Sequence, residues 1–306
     1  MVNAVVLAGG KDCFALKDKA SWALMQVPYF IAYQKLKIPG SYNSFINVYG
    51  EIDGVHKRRP ALEYVLNSLN QSKLIDRIAV VTKKKKLEEK LDISIKNYME
   101  KSSIVEQCGS IKENALKGYE SLQKQGHTLF IAGDSPKTTV NNIDDFLNKC
   151  EAYKKDYDII YPIVNKKSHH KYDKIFRRKY FWIIDDITGN KDEFERGGKR
   201  GFRIMSMTLA NPNKVRNNKA IDFLYDIRNI AAPQNVIKAY REFKNEIFKI
   251  IKGDLKLSDI EKKLSSLLQT RFKIIEIEDA GPSFDIDDVG DSERISRING
   301  CDKREY

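Results

Sequence analysis

Three short segments hold the residues whose types and spacing suit chemistry on anionic substrates. Gly133-Asp134-Ser135-Pro136 directly follows an apolar, β-rich run, so Asp134 falls at the C-terminal edge of a strand. In open α/β sheets that edge is where ligands bind. A carboxylate there, beside a glycine that lets a ligand approach, suits a hard oxygen-seeking cation such as Mg²⁺ (or Mn²⁺). Asp134 or Ser135 ahead of Pro136 is equally good helix-capping chemistry. The second segment, Phe284-Asp285-Ile286-Asp287-Asp288, alternates acid and apolar residues. Period two puts Asp285 and Asp287 on one side of an extended strand, where they repel unless a cation or proton offsets them. The alternative is an exposed acidic turn, with Asp288 capping a helix that starts near Asp291. The third segment is Leu7-Ala8-Gly9-Gly10, followed by Lys11 and Lys19. A glycine pair after a first strand frees backbone N–H groups to wrap phosphate oxygens, and nearby ammonium groups add charge. The spacing is neither G-x-G-x-x-G nor G-x-x-x-x-G-K-[ST], which argues against a dinucleotide fingerprint and excludes a P-loop on motif.

The elements that must position these groups follow from periodicity. Apolar runs at 2–8, 75–82, 128–134 and 157–162 read as strands buried on both faces. Between them, 61–69, 111–122 and 143–153 have helical spacing. Strands alternating with helices predict an α/β fold, a three-layer sandwich around a mostly parallel central sheet. Residues 215–268 are helical almost throughout, broken at Pro233 and at Gly253-Asp254, so about three helices are expected there. The strand-like run 271–277 then predicts re-entry into the first sheet. The expected organisation is one α/β domain, 1–211 with 269–306, carrying a helical insert at 212–268. The stretch from Lys11 to Pro60 is too long for a simple βα loop, and a hairpin is expected within Tyr29–Val48.

Composition narrows the class. Of 306 residues, 54 are Lys or Arg and 42 Asp or Glu, a net charge of +12 that favours anionic partners. Cys13, Cys108, Cys150 and Cys301 lie far apart with no CxxC pair, which reads as reduced thiols in a cytoplasmic protein. The start of the chain is apolar for only about eight residues, and no run reaches the ~18–20 of a membrane span. The segment His169-His170 reads as exposed loop.

Taken in order, these segments resemble the MobA-like NTP transferases, nucleotidyltransferases of GT-A-type α/β fold. Leu7 to Gly10 is similar to that family's L-A-G-G loop, and Asp18-Lys19-Ala20 to the D-K-A that ends it. Arg59-Pro60-Ala61-Leu62 through Val65-Leu66 resembles the family's [KR]-P helix start. Gly109-Ser110-Ile111-Lys112-Glu113-Asn114, ending at Gly118, resembles G-S-x-x-E-N-x-x-x-G. Asp134 matches the acid after the central strand, and Asp285 with Asp287 the closing D/N-x-D/N. The resemblance implies transfer of a nucleotidyl group from an NTP to a small phosphorylated acceptor, with pyrophosphate leaving. It implies that Leu7, Ala8, Gly9, Gly10 and Arg59 bind nucleotide and that Gly109, Ser110 and Asn114 line the base and ribose pocket. Lys19, or else Lys11 or Lys17, stabilises the leaving group. Asp134 and one or both of Asp285 and Asp287 hold Mg²⁺.

Gly197-Gly198-Lys199-Arg200-Gly201, after the basic run Arg177-Arg178-Lys179, takes the place of a T-G-G-N-like segment found in members with a long insert. Arg177, Arg178 and Lys199 are therefore expected to receive the acceptor, the alternative being a solvated loop. The insert is read as an acceptor lid or a homodimer contact, with contact to a membrane surface as a third role. Two other functions compete: a GT-A glycosyltransferase using a nucleotide sugar, and a non-catalytic nucleotide- or RNA-binding protein. No RNP-like strand, KH loop or zinc-finger spacing supports specific nucleic-acid binding.

Overall fold

The computed structural model describes residues 1–9, 43–90, 100–123, 126–170, 172, 175, 180–187, 197–226, 233–287 and 289–300. Gly10, Lys11, Lys17, Asp18, Lys19, Ala20, Arg177, Arg178, Lys179, Asp288 and most of the expected Tyr29–Val48 hairpin lie outside them.

In chain order the elements begin with β1 (Val2–Leu7), β2 (Asn47–Ile52), β3 (Val55–Pro60), α1 (Ala61–Gln71), β4 (Ile75–Thr82) and α2 (Lys84–Lys90). They continue with β5 (Ser102–Glu106), α3 (Ile111–Ser121), β6 (Thr128–Ala132), α4 (Val140–Glu151), β7 (Ile159–Asn165) and α5 (Lys166–His170). Then come β8 (Phe181–Ile183), β9 (Arg200–Ile204), β10 (Met207–Ala210), α6 (Lys219–Asp226), α7 (Pro233–Lys252), α8 (Leu257–Leu268), β11 (Phe272–Ile277) and α9 (Val289–Ile298).

The main sheet runs β5-β4-β1-β6-β10-β7-β9-β8, with β11 paired to β7. Strands β5, β4, β1 and β6 are mutually parallel, and β10 inserts antiparallel between β6 and β7. β11 runs parallel to β7 from Phe272↔Ile159 to Ile277↔Val164, so the chain does return to the sheet after three helices. β2 and β3 form a separate hairpin, whose turn is made by Asp53 and Gly54 at φ +52° and +76°.

The sheet is covered on both faces, the condition for continuous apolar parallel strands. On β1, Ala4 and Val6 join a core with Leu62 and Val65 of α1, Phe146 of α4 and Ile295 of α9. The neighbour between them, Val5, faces the opposite core with Tyr119 of α3, Leu257 and Leu268 of α8, and Phe272 of β11. This alternation within one strand is what makes a three-layer α/β sandwich.

Candidate active site

The C-terminal ends of β1, β4, β5 and β6 share one edge of the sheet. The connection from β1 through α1 leads to β4 on one side, and the chain after β6 leads through α4 to β7 on the other. The crevice between β1 and β6 is therefore the topological switch point, the place where open sheets bind ligands. Gly9 and Asp134 both emerge there.

Short backbone contacts fix this edge. Ala8 N–H donates to Val81 O (3.0 Å), Gly133 N–H to Leu7 O (3.0 Å), and Gln107 N–H to Thr82 O (3.0 Å). The Thr82 hydroxyl donates to Ala8 O at 3.2 Å. Gly9 is exposed, and a Cβ on it would sit 2.2 Å from Gln107 Oε1, so the β5–α3 loop presses directly on the glycine loop. Gly133 serves packing rather than ligand approach. A Cβ there would lie 3.0 Å from Leu62 Cδ1 and 3.1 Å from both Ala8 Cβ and Ser44 Oγ.

The β5–α3 loop is shaped by its own polar residues. Ser110 caps α3, its hydroxyl accepting from Glu113 N–H (3.3 Å) while its own N–H donates to Glu113 Oε2 (2.6 Å). Asn114 Oδ1 accepts from Cys108 N–H at 2.7 Å. This reciprocal pair is a capping box, and a side chain at Gly109 would collide with Glu113 Oε2. Gly118 then lets α3 lie close to the sheet, since a Cβ would fall 2.6 Å from Val5 Cγ1 and 2.7 Å from Val81 Cγ2. Beside the loop, Asp222 of α6 pairs with Lys112 at 3.0 Å. Burial pushes its carboxyl upward, but hydrogen bonds from Lys112 and Ser110 outweigh it and hold the group below its usual range.

Asp134 does not cap a helix. α4 starts at Val140 with Thr139 as its cap, so that alternative falls. Instead, Asp134 O accepts from Ile286 N–H at 2.9 Å, which brings the C-terminal acidic segment onto the β6 edge. Phe284 and Ile286 are fully buried, while Asp285 and Asp287 are partly exposed, so the expected alternation holds without a regular strand. An arginine supplies positive charge to this segment. Arg203 of β9 donates to Asp285 Oδ1 (2.9 Å) and to Ser283 O (3.1 Å). Asp287 N–H donates to the buried Asp291 carboxylate (3.1 Å), which also accepts from Arg294 (2.7 Å).

His169 departs from the exposed loop expected of it. It is fully buried on α5, its Nε2 lies 2.5 Å from Ser283 Oγ, and its ring lies 4.7 Å from Phe284. Ser283 Oγ donates to Ala280 O (2.6 Å), so it accepts from His169. The imidazole thus supports the turn that leads into Asp285.

Two further residues of the expected set are held by neighbours of their own. Arg59 is 6% exposed and pairs with buried Glu63 (3.5 Å) at the β3–α1 junction. Lys199 lies beside β9, three strands beyond β6, with its amine against Gly253. Sequence reasoning missed Arg203, Gln107 and His169. The strand β9 that carries Arg203 is short and broken by Gly201, which hides its alternation.

A hard divalent cation takes oxygen donors, often one or two carboxylates plus waters and substrate phosphates. Asp134, Asp285 and Asp287 are carboxylates of that kind, and Asp285 Oδ1 also accepts from the Arg203 guanidinium. Among the described residues no group of three or more His, Cys, Asp or Glu forms a ready-made metal cage, and no helix is long and apolar enough to cross a membrane.

No family model and no curated protein matches the chain in sequence. Weak structural likenesses include the 4-diphosphocytidyl-2C-methyl-D-erythritol synthase of Anaerococcus prevotii, 15% identical at TM-score 0.47 over 97% of each chain. A cytidylyltransferase from Leptospira borgpetersenii is 11% identical at TM-score 0.46, over 100% of this chain and 89% of that one. The fold itself is similar to that of a hypothetical transferase from Thermus thermophilus, 18% identical, with TM-score 0.61 over 95% of this chain and 100% of that one.

Proposed function

We propose that the protein is a Mg²⁺-dependent nucleotidyltransferase of MobA-like type, transferring an NMP group from an NTP to a small phosphorylated acceptor. The observation that carries the reading is the Ile286–Asp134 hydrogen bond (2.9 Å). It draws the closing acidic segment to the same switch-point edge as the glycine loop.

Nucleotidyl transfer is in-line attack by the acceptor on the α-phosphorus, with the bond to pyrophosphate breaking. It asks for positioning and charge stabilisation rather than covalent catalysis. In this reading the amides of Gly9 and Gly10 cradle the β- and γ-phosphates, with Leu7 and Ala8 setting their direction. Lys19, or else Lys11, stabilises the negative charge that builds on the leaving pyrophosphate. Asp134 and Asp287 hold Mg²⁺, which when bound offsets charge on the nucleotide phosphates. Asp285 acts through Arg203 to keep the segment in place. The β5–α3 loop suits the ribose or base rather than phosphate, because the Glu113 carboxylate already occupies the Ser110 N–H. Residues 212–268 are then an insert in one domain.

The test is a thermal-shift screen of the common NTPs and sugar nucleotides, with and without Mg²⁺. Mg²⁺-dependent stabilisation by one NTP supports the reading. Stabilisation by a nucleotide sugar alone points to glycosyl transfer, and no response to any of them points to a protein without this chemistry.

A further inference from the structure

Four of the most exposed large apolar side chains stand on a single helix. Ile237 (53% exposed), Tyr240 (48%), Phe248 (48%) and Ile251 (65%) all belong to α7. Within each half of the helix the two exposed residues lie three apart and so share one side, and the halves meet at a kink at Phe243 (φ −109°, ψ 23°). Lys238, Arg241, Lys244 and Lys252 are exposed beside them, and among the described residues none of the four makes an ion pair.

The helix carries no exposed acid to balance this charge. Glu242 is taken by Lys263 (2.6 Å) of α8, and Glu246 is only partly exposed. Lys249 pairs with Asp259 (2.6 Å), also of α8. The inward side is equally committed: Ala239 and Ile247 are buried, and Phe243 stacks on Phe223 of α6 at 6.4 Å. The outward sides of both halves are therefore apolar and cationic together, over 20 residues bent at Phe243.

The combination selects among occupants. A nucleic acid would satisfy the bases but leave four large apolar side chains in water, with no gain from their burial. A second copy packed about a two-fold axis would bring Lys and Arg against Lys and Arg, which is repulsive. An anionic bilayer surface satisfies both halves at once. Apolar side chains enter the headgroup–acyl boundary, and ammonium and guanidinium groups meet lipid phosphates.

We infer that α7 is a membrane-docking helix that lies flat on a surface rich in anionic lipid. Ile237, Tyr240, Phe248 and Ile251 insert, and Lys238, Arg241, Lys244 and Lys252 supply the charge preference. Docking here sits close to the β5–α3 loop, because Phe223 beneath α7 adjoins Asp222, the partner of Lys112.

The test is co-sedimentation of the full chain with vesicles of phosphatidylcholine alone, or with about 30% phosphatidylglycerol added. The expected result is at least about tenfold stronger binding to the anionic vesicles, lost in high salt. The paired change Phe248→Ser with Ile251→Ser, at exposed positions, removes binding while circular dichroism and melting stay unchanged. Lys238→Glu with Arg241→Glu removes the preference for anionic lipid. The inference is overturned by no binding to either vesicle, by equal binding to both, or by full binding of the Phe248/Ile251 variant. A dimer in light scattering that the same variant splits also overturns it, and assigns the face to a second copy.

Discussion

The N–H of Ile286 donates to the carbonyl oxygen of Asp134 across 2.9 Å, joining residues 152 positions apart (286 − 134). Both ends of that bond are main-chain atoms, so the contact survives substitution of either side chain. Changes to the Asp134 and Asp287 carboxylates therefore test chemistry without first undoing the junction.

Arg203 is the group that makes the acidic segment tolerable. Arg203→Ala leaves Asp285 without its guanidinium and Ser283 O without a donor. It is expected to cost about 1–3 kcal/mol in urea unfolding, and to weaken Mg²⁺-dependent NTP stabilisation. Arg203→Lys restores charge but not the forked geometry, so it recovers part of each loss. An Arg203→Ala protein as stable as the wild type, with unchanged NTP response, would show that the pair is incidental.

A second ion network lies on β9 and β11. Arg200, 3% exposed at its side chain, donates to Glu276 (2.8 and 3.0 Å) and to Asp185, with Asn165 also on Glu276 (2.5 Å). Glu276→Ala leaves Arg200 paired with Asp185 alone and takes the acceptor from Arg200 and Asn165. It is expected to destabilise the fold by about 1–3 kcal/mol, read as a lowered urea midpoint. A loss below about 1 kcal/mol would mean the network is solvated in solution.

The capping box at α3 separates shape from binding. Ser110→Ala removes the acceptor for Glu113 N–H and should cost about 1 kcal/mol in stability. Asn114→Ala releases the Cys108 loop, and its expected effect is a weaker NTP response with little change in melting. If both variants melt lower but bind NTP normally, the loop is only a helix start.

Acid sensitivity has a named source at the β7–β11 junction. Arg271 donates to both Asp158 oxygens (3.1 and 2.9 Å), and these hydrogen bonds hold its carboxyl below the usual range. A depressed folded-state value contributes stability above the unfolded value, and loses it as pH falls through the folded one. The urea midpoint of the wild type should therefore fall as the pH drops below the ordinary carboxylate value of about 4. Asp158→Asn should start lower at neutral pH and show a flatter fall on acidification. Parallel curves for the two proteins would remove Asp158 from the acid response.

The legible parts of this chain are those in which local pattern and tertiary role agree. β1, β4, β6 and β7 announce themselves because both faces are buried, so their apolar runs are continuous. Re-entry of β11 after the helices is legible from its β-branched run Phe272–Ile277, although Lys273 and Glu276 interrupt it. Strands β9 and β10 were not, since at five and four residues each offers too few alternations to read. Asp134 stood out as an acid after a buried run, yet its partner Ile286 is set by topology that no local spacing records. Asp285 was visible as an acid needing a cation, but nothing near it in sequence names Arg203. His169 looked like surface because a histidine pair beside lysines is polar, and its burial follows from packing under Phe284. Ser110 with Glu113 at capping-box spacing was a readable signal for the α3 start that motif similarity overshadowed.

The most direct measurement is pyrophosphate release by the wild type and by Asp134→Asn, each with the NTP that stabilises the protein, Mg²⁺ and a phosphorylated acceptor. The account predicts release by the wild type that requires Mg²⁺, and none above background by the variant, with circular dichroism unchanged. Undiminished release by Asp134→Asn would contradict it.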